Sequence, residues 1–217
     1  MIKAVLLDFD GVVVNSLPYH IQAWQKVLAP YGIKIDPKEI YLSEGLRAID
    51  YAKIISLREG LNLSPSEIND LVDRKRQYYR LISQARVRPE AIAFIDNLKK
   101  TPLKVGLVTG SGWVNLKTIA GDGFLDKFDV IVSGDDVTKG KPDPEAYLNA
   151  AKKLGLTPSE CLVIENAPLG IQAAKRAGMA CVAITVTLEA KELKEADYIF
   201  SDLNEIDLAG LLENGRL

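Results

Sequence analysis

The sequence lacks both a strong excess of charge and a long hydrophobic run. Its 27 lysines and arginines nearly balance 29 aspartates and glutamates, so the net charge of the 217 residues is close to −2. Such a balance gives no electrostatic attraction to nucleic acid or to a membrane surface. No apolar stretch approaches the length of a membrane-spanning helix, and the segment from Met1 to Asp8 is too short and too soon acidic for a signal peptide. We therefore expect a cytoplasmic protein that acts on a small molecule, with no nucleic-acid, membrane or obligate protein partner.

Cysteine is also scarce. Cys161 and Cys181 both lie in apolar runs, where a free cysteine packs as a small hydrophobic side chain, and a disulfide between them is the lesser alternative. The sequence contains no internal repeat and no low-complexity segment. With 47% hydrophobic and 26% charged residues, the composition is that of a globular protein with one domain, or with a core that carries a small insertion.

What the sequence does contain is an alternation of short, β-branched-rich runs with longer amphipathic segments. This alternation predicts a doubly wound α/β fold, in which helices cover both faces of a parallel sheet. The predicted strands are residues 2–7, 104–108, 130–132, 162–164, 182–186 and 198–200. The predicted helices are residues 91–100, 115–120, 144–154 and 169–177, the last of them ended by Gly178. Functional residues are then expected at the carboxyl ends of the strands.

One interval interrupts the alternation. Residues 16–83 contain helical patterns over 19–31, 48–58 and 65–82, but no convincing strand. The interval directly follows the first strand, and the alternation resumes near residue 88. We therefore predict an α-helical domain of residues 16–83 inserted into a core of residues 1–15 and 84–217, with a hinge at the two crossings.

Two acidic side chains follow the first predicted strand. Asp8 and Asp10 are two residues apart, so in an extended chain both carboxylates face the same small volume. Such a pair needs a cation or a shared proton, and carboxylate oxygens suit Mg²⁺. One carboxylate can then attack phosphorus while the other transfers a proton, and Gly11 leaves room for a phosphate near the backbone. For an isolated Asp-x-Asp pair, however, a surface turn or a helix cap is the better interpretation.

Other strand ends supply groups of complementary chemistry. Thr109, Gly110 and Ser111 form a small-residue turn before a helix, which is a natural phosphate cradle or, equally, a helix cap. Lys141 lies between glycine and proline residues, where it can neutralise phosphoryl charge or be a solvated surface lysine. Glu165 and Asn166 follow the fourth strand, where they can bind a metal or cap the next helix.

These four strand-end motifs, in this order, resemble those of the haloacid dehalogenase superfamily of phosphotransferases. The motifs are Asp8-Phe-Asp10-Gly-Val-Val-Val-Asn15-Ser16, Val108-Thr-Gly-Ser111, Lys141-Pro-Asp-Pro144 and Glu165-Asn-Ala-Pro-Leu-Gly170, and the resemblance extends from residue 2 to about 186. It implies a Rossmann-like core, and the insertion is similar to the helical cap of the subgroup that includes β-phosphoglucomutase and phosphoglycolate phosphatase.

The resemblance also implies roles for the motif residues. Asp8 would be the nucleophile that forms an aspartyl-phosphate, and Asp10 the general acid and base, with its main-chain carbonyl on Mg²⁺. Thr109 and Lys141 would bind phosphate, together with the Gly110–Ser111 turn. Asp8, Asp10, Glu165 and Asn166 would form the metal site. Many members have Asp where this chain has Asn166, so we expect Mg²⁺ binding to survive but to be weakened.

Residues of the insertion bear on the choice of substrate. His20, the single histidine, and the segment that contains Glu44 and Arg47 resemble cap regions that reach the active site. His20 packed in the cap, and Glu44 and Arg47 as solvated helix ends, are the simpler alternatives. An acid at position 44 would repel the distal phosphate of a bisphosphorylated sugar, so the sequence favours a phosphatase for a small phosphate monoester over a β-phosphoglucomutase-type enzyme. A non-catalytic binding module of the same fold is a third alternative.

Overall fold

The computed structural model describes residues 1–213, in which six parallel strands form one sheet. The strands are β1 (Ala4–Leu7), β2 (Lys104–Val108), β3 (Val130–Val132), β4 (Cys161–Glu165), β5 (Ala180–Ile184) and β6 (Tyr198–Phe200). Each coincides with a predicted run to within two residues at either end. The predicted parallel sheet is therefore confirmed.

Helices precede and follow these strands. They are α1 (Leu17–Leu28), α2 (Pro37–Leu42), α3 (Ala48–Arg58), α4 (Pro65–Ile82), α5 (Pro89–Leu98), α6 (Trp113–Ala120), α7 (Asp122–Leu125), α8 (Glu145–Leu154), α9 (Pro168–Arg176) and α10 (Leu208–Glu213). In the range 1–213, none of them is both long enough and apolar enough to cross a bilayer.

Alternating side chains of β1 pack on opposite faces of the sheet. Val5 and Leu7 contact a hydrophobic cluster that includes residues of α5 and α6. Ala4 and Leu6 contact a second cluster, built with residues of α8 and α9. Helices thus cover both faces, as a doubly wound fold requires. Both cysteines are free and buried in the second cluster.

The strand order β3-β2-β1-β4-β5-β6 indicates at which strand ends a ligand can bind. The chain builds outward from β1 to β3 and then crosses to the other side of β1 to form β4. In such sheets, ligands bind outside the carboxyl ends of the strands at the point where the order reverses. Asp8 and Glu165 lie at that point, where the amide of Asp8 donates to the carbonyl of Ile164 at 3.0 Å.

Helices α1 to α4 form a hydrophobic cluster of their own. Trp24, Tyr51, Ile55 and Leu71 are among its buried members. Helix α2 was not predicted, although Asp36 caps it and proline occupies its first position. The separate cluster supports the proposed division into a core and an inserted domain of residues 16–83, which we call the cap.

The packing of β1 gives a test of the core. Leu6 is fully buried, so Leu6→Ala should lower the free energy of unfolding by about 2–5 kcal/mol. Leu81 is 80% exposed, and Leu81→Ala should change it by less than about 0.5 kcal/mol. Urea unfolding measures both, and equal midpoints for the two variants would contradict the assignment of Leu6 to the core.

Candidate active site

A buried ion cluster lies at the carboxyl end of β1. The Lys141 Nζ atom donates to Asp8 Oδ1 at 2.5 Å, to Glu165 Oε1 at 2.7 Å and to the carbonyl of Val108 at 3.2 Å. The three charged residues are each at most 3% exposed. An ammonium group has three hydrogens to donate, and protein oxygens accept all three here. Lys141 therefore acts directly on Asp8, and its contact with phosphate stays a prediction.

Glu165 is held from both sides. Its Oε1 atom also accepts from the Tyr147 hydroxyl at 2.8 Å. Its Oε2 atom accepts from the main-chain amides of Asn166 and Ala167 at 3.0 and 3.4 Å. Glu165 thus fixes the positions of Lys141 and of the turn after β4. Sequence reasoning missed Tyr147, because this residue lies inside α8 and belongs to no motif.

Asp10 accepts hydrogen bonds on both of its carboxylate oxygens. Oδ1 accepts from Ser16 at 2.5 Å and lies 3.3 Å from His20 Nε2. Oδ2 accepts from Ser111 at 2.7 Å and from Thr109 at 3.3 Å. Burial alone would raise the pKa of Asp10, but the bonds from His20, Ser16 and Ser111 hold it well below its usual range. Asp10 is therefore ionised, and both hydroxyls of the predicted phosphate cradle are directed at it.

A lysine of the cap extends this network. Lys75 Nζ lies 2.7 Å from His20 Nδ1, and Tyr79 stacks on the imidazole with ring centres 4.3 Å apart. If the charged Lys75 donates to Nδ1, a neutral His20 carries its proton on Nε2, which faces Asp10. Burial lowers the pKa of Lys75 to about 7, and burial together with the Lys75 charge lowers the pKa of His20.

Lys75 was not predicted as a site residue. Its signal in the sequence is its place on the buried face of α4, where its neighbours along the helix are Ile68, Val72 and Tyr79. A lysine within such an apolar stripe needs a buried partner. The partner, His20, lies 55 positions away and becomes visible only in the folded chain.

Asp8 and Asp10 border a cavity of about 360 Å³ between the cap and the core. Of the residues predicted as site residues, the cavity is also lined by His20, Glu44, Arg47, Thr109, Gly110 and Ser111. Lys141, Glu165 and Asn166 lie behind this surface and are at most 1% exposed. The fold thus brings all of the predicted site residues into one region.

Contacts between the cap and the core hold the cavity closed over the acids. Asn166 Nδ2 donates to Glu44 Oε2 at 2.9 Å, and Lys38 pairs with Glu192 at 2.7 Å. Arg47 donates to the carbonyl of Val137 at 3.2 Å. The same guanidinium is bound by both carboxylate oxygens of Asp50, at 2.7 and 3.0 Å. Arg47 therefore lines the cavity with its charge already compensated.

Gly11 has a different neighbour from the one expected. Its φ of +94° favours glycine, and a Cβ atom there would lie 2.4 Å from Asn166 Nδ2. The space that the sequence interpretation assigned to a phosphate is therefore occupied by the Asn166 amide. Gly11 allows the ends of β1 and β4 to approach each other.

The chemistry of the site fits a bound cation. Among residues 1–213, no three Asp, Glu, His or Cys side chains form a ready-made metal cluster. Yet within that range Asp8 Oδ2 and Asn166 Oδ1 are buried acceptors with no hydrogen-bond partner. Burial raises the pKa of Asp8 to about 8; Lys141 opposes this shift, and the charges of Glu165 and Asp10 add to it. A cation bound to these two oxygens would supply the partner that they lack, and its charge would offset the excess of negative charge.

Comparison with known proteins agrees with this geometry. The family model for haloacid dehalogenase-like hydrolases matches residues 2–178. The chain belongs to this family. Validoxylamine A 7′-phosphate phosphatase of Streptomyces hygroscopicus subsp. limoneus is 32% identical over 95% of the chain and 96% of its own length. β-Phosphoglucomutase of Bacillus subtilis (strain 168) is 30% identical over 97% and 94%, respectively.

The fold has close counterparts among solved structures. The crystal structure of β-phosphoglucomutase from Clostridium difficile superposes with a TM-score of 0.86 at 27% sequence identity, over 98% of the chain and 96% of that protein. These similarities confirm the Rossmann-like core and the capped architecture. The protein is an enzyme of this family, either a phosphoric monoester hydrolase or a phosphomutase.

The buried lysine of the cap should make stability depend on pH. The pKa of Lys75 falls from 10.5 in the unfolded chain to about 7 in the folded one. Between these values the unfolded chain binds one more proton, so stability should rise with pH, by at most about 1.4 kcal/mol per pH unit. The raised pKa of Asp8 acts in the opposite direction in every variant, so the variants are compared with one another. By urea unfolding at pH 7 and 9, stability should change more favourably with rising pH in the wild type and in Lys53→Met, an exposed control, than in Lys75→Met. Identical pH dependence in all three proteins would contradict the assignment.

Gly110 gives a test of the contact between cap and core. A Cβ atom at Gly110 would lie 2.9 Å from the carbonyl oxygen of Gly45 and 3.2 Å from that of Leu46, so the backbone of the cap must move. Gly110→Ala should raise KM for p-nitrophenyl phosphate severalfold, because the closed cavity is disturbed. Gly123→Ala is the control, since a Cβ atom there has no neighbour within 4 Å in the described structure. Unchanged kinetics for Gly110→Ala would show that closure does not matter for this substrate.

Proposed function

We propose that the protein is a Mg²⁺-dependent phosphatase that hydrolyses a small phosphate monoester through an aspartyl-phosphate on Asp8. The observation that carries this proposal is the contrast between two neighbouring carboxylates at one cavity. Asp8 has one oxygen fixed by Lys141 and, among the described residues, no partner for the other. Asp10 has hydrogen bonds on both oxygens. Two acids in such different surroundings are suited to different roles.

In the first half of the reaction, Asp8 attacks the phosphorus in line and the bond to the leaving oxygen breaks. The leaving alkoxide takes a proton from Asp10. Because Asp10 is ionised in this structure, it must first take up that proton. His20 and Lys75 form a hydrogen-bonded route for it, at 3.3 and 2.7 Å.

In the second half, water attacks the phosphorus of the aspartyl-phosphate. Asp10, now ionised again, accepts the proton of that water. The bond between phosphorus and the Asp8 oxygen breaks, which releases inorganic phosphate and restores the Asp8 carboxylate. The hydrogen bonds that lower the pKa of Asp10 favour this basic form.

The other site residues make room for the phosphoryl group, position Asp8 and enclose the cavity. Thr109, Gly110 and Ser111 line the cavity beside the two acids, where their small side chains allow the phosphoryl group to approach. Lys141 donates to Asp8 Oδ1 and opposes the rise in the pKa of Asp8, so it favours the ionised carboxylate that attacks. Closure of the cap excludes bulk water and strengthens each of these electrostatic interactions.

Enzymes of this family generally depend on a metal, and Mg²⁺ suits the oxygen atoms present here. Asp8 Oδ2 and Asn166 Oδ1 would hold it, together with the main-chain carbonyl of Asp10 that the family resemblance implies. When bound, Mg²⁺ would neutralise charge on the phosphoryl oxygens and on Asp8. The two oxygens of Glu165 already accept hydrogen bonds from Lys141 and from the main-chain amide of Asn166. Glu165 would therefore support the site by positioning these two residues.

Two charged residues of the cap favour the phosphatase over the phosphomutase. Glu44 lines the cavity, where an acid repels the second phosphate of a bisphosphorylated sugar. Arg47 could attract that phosphate, but Asp50 compensates its charge. A cavity of about 360 Å³ accommodates a sugar phosphate or a metabolite of similar size. We therefore propose water, rather than a sugar hydroxyl, as the phosphoryl acceptor.

The direct test is Mg²⁺-dependent release of inorganic phosphate from sugar phosphates, phosphoglycolate, nucleotides and p-nitrophenyl phosphate. At least one ester should release phosphate, and Asp8→Asn should lower that rate by about a thousandfold or more, since it removes the nucleophile. Conversion of β-glucose 1-phosphate to glucose 6-phosphate, without release from any ester, would replace the phosphatase by the mutase. Neither reaction, with no rise in Tm from Mg²⁺ and beryllium fluoride, would indicate a binding module.

A further inference from the structure

Three buried oxygens that lack a hydrogen-bond donor among residues 1–213 belong to residues at the contact between the cap and the core. They are Asp8 Oδ2, Asn166 Oδ1 and Glu44 Oε1. Asp8 and Asn166 follow the adjacent strands β1 and β4. Glu44 comes from the cap, and its other oxygen accepts from the Asn166 amide at 2.9 Å. Unmet acceptors are costly in a protein interior, so three of them in one region indicate that a positive group belongs there.

The segment around Glu44 lies directly on the ion cluster of the core. A Cβ atom at Gly45 would be 2.9 Å from the Lys141 side chain, and the carbonyl of Gly45 lies close to Gly110. Asp8 and Asn166 are at most 3% exposed, so the oxygens they offer are enclosed by the fold. The Glu44 carboxylate therefore enters the same enclosed region as the two core oxygens.

Glu44 and Asn166 are complementary in charge and in hydrogen bonding. The side-chain nitrogen of Asn166 donates to Glu44 and to Thr187 Oγ1, and the side-chain oxygen has no donor among residues 1–213. An aspartate at position 166 could not donate, and it would place two carboxylates at hydrogen-bond distance. With a cation bound, the neutral amide of the core and the ionised acid of the cap would together supply one negative charge to the site.

We propose that Glu44 is a cation-binding residue that the cap contributes, so that the Mg²⁺ site is shared between Asp8 and Asn166 of the core and Glu44 of the cap. This inference rests on the proposed Mg²⁺-dependent function. It adds Glu44 to the cation-binding residues and couples Mg²⁺ binding to closure of the cap. A cation bound by both domains favours their closed arrangement, and closure in turn raises the affinity for the cation. Glu44 thereby supplies the charge that Asn166 lacks.

The test titrates the wild type and two variants with MgCl₂ alone by isothermal titration calorimetry. Glu44→Gln keeps the shape of the side chain and removes its charge, so it should weaken Mg²⁺ binding by about tenfold or more. Glu59→Gln removes one charge from an exposed cap residue that pairs with Arg58, and it should bind as the wild type does. Thermal unfolding without Mg²⁺ checks that each variant is folded.

A second readout reports on the cap itself. Mg²⁺ should slow amide hydrogen exchange of residues 43–47 in the wild type and in Glu59→Gln, but not in Glu44→Gln. The double variant Glu44→Gln with Asn166→Asp exchanges the acid and the amide, and it should recover Mg²⁺ affinity to within a few-fold of the wild type. A Glu44 that only packs the cap against the core would give no such recovery.

Wild-type affinity in Glu44→Gln, with residues 43–47 still protected by Mg²⁺, would overturn this inference. If the wild type nevertheless releases phosphate in the presence of Mg²⁺, the proposed phosphatase stands and only the role of Glu44 falls. A wild type that neither binds Mg²⁺ nor releases phosphate would overturn both proposals.

Discussion

The buried contact of Lys141 with Asp8 and Glu165 is the interaction on which the site depends. Removing a charge from water is costly, and it is tolerated only when partners surround that charge. Here one ammonium donates to two carboxylates, and Tyr147 and backbone amides complete the bonding of Glu165. The arrangement leaves Asp8 Oδ2 without a hydrogen-bond donor among the described residues. It also leaves the region with more negative than positive charge, which is why a cation fits it.

Residues of the cap form hydrogen bonds with the polar residues of the core site. Lys75 and His20 connect one side of the cap to Asp10, while Glu44 connects another part of it to Asn166. Each connection joins a polar group of the cap to a polar group of the core, so closing the cap forms hydrogen bonds that an open cap would lack. The site is therefore organised only when the cap is closed. Opening the cavity to substrate or product must break these contacts.

The sequence predicted the fold and most of the site because the signals were local. Apolar β-branched runs located all six strands to within two residues, and the polar residues that follow them marked the active edge. Lys75 and Tyr147 could not be found in this way, since they meet their partners only through tertiary packing. The space beside Gly11 was misinterpreted for the same reason: the side chain that fills it belongs to a distant part of the sequence.

In the proposed mechanism, Asp8 carries the phosphoryl group during turnover. Mass spectrometry of enzyme quenched with acid while it hydrolyses its best ester tests this most directly. We expect one added phosphoryl group on the peptide that contains Asp8, and none in enzyme quenched without substrate. A phosphoryl group on a different residue, or none at any time in the approach to steady state, would contradict it.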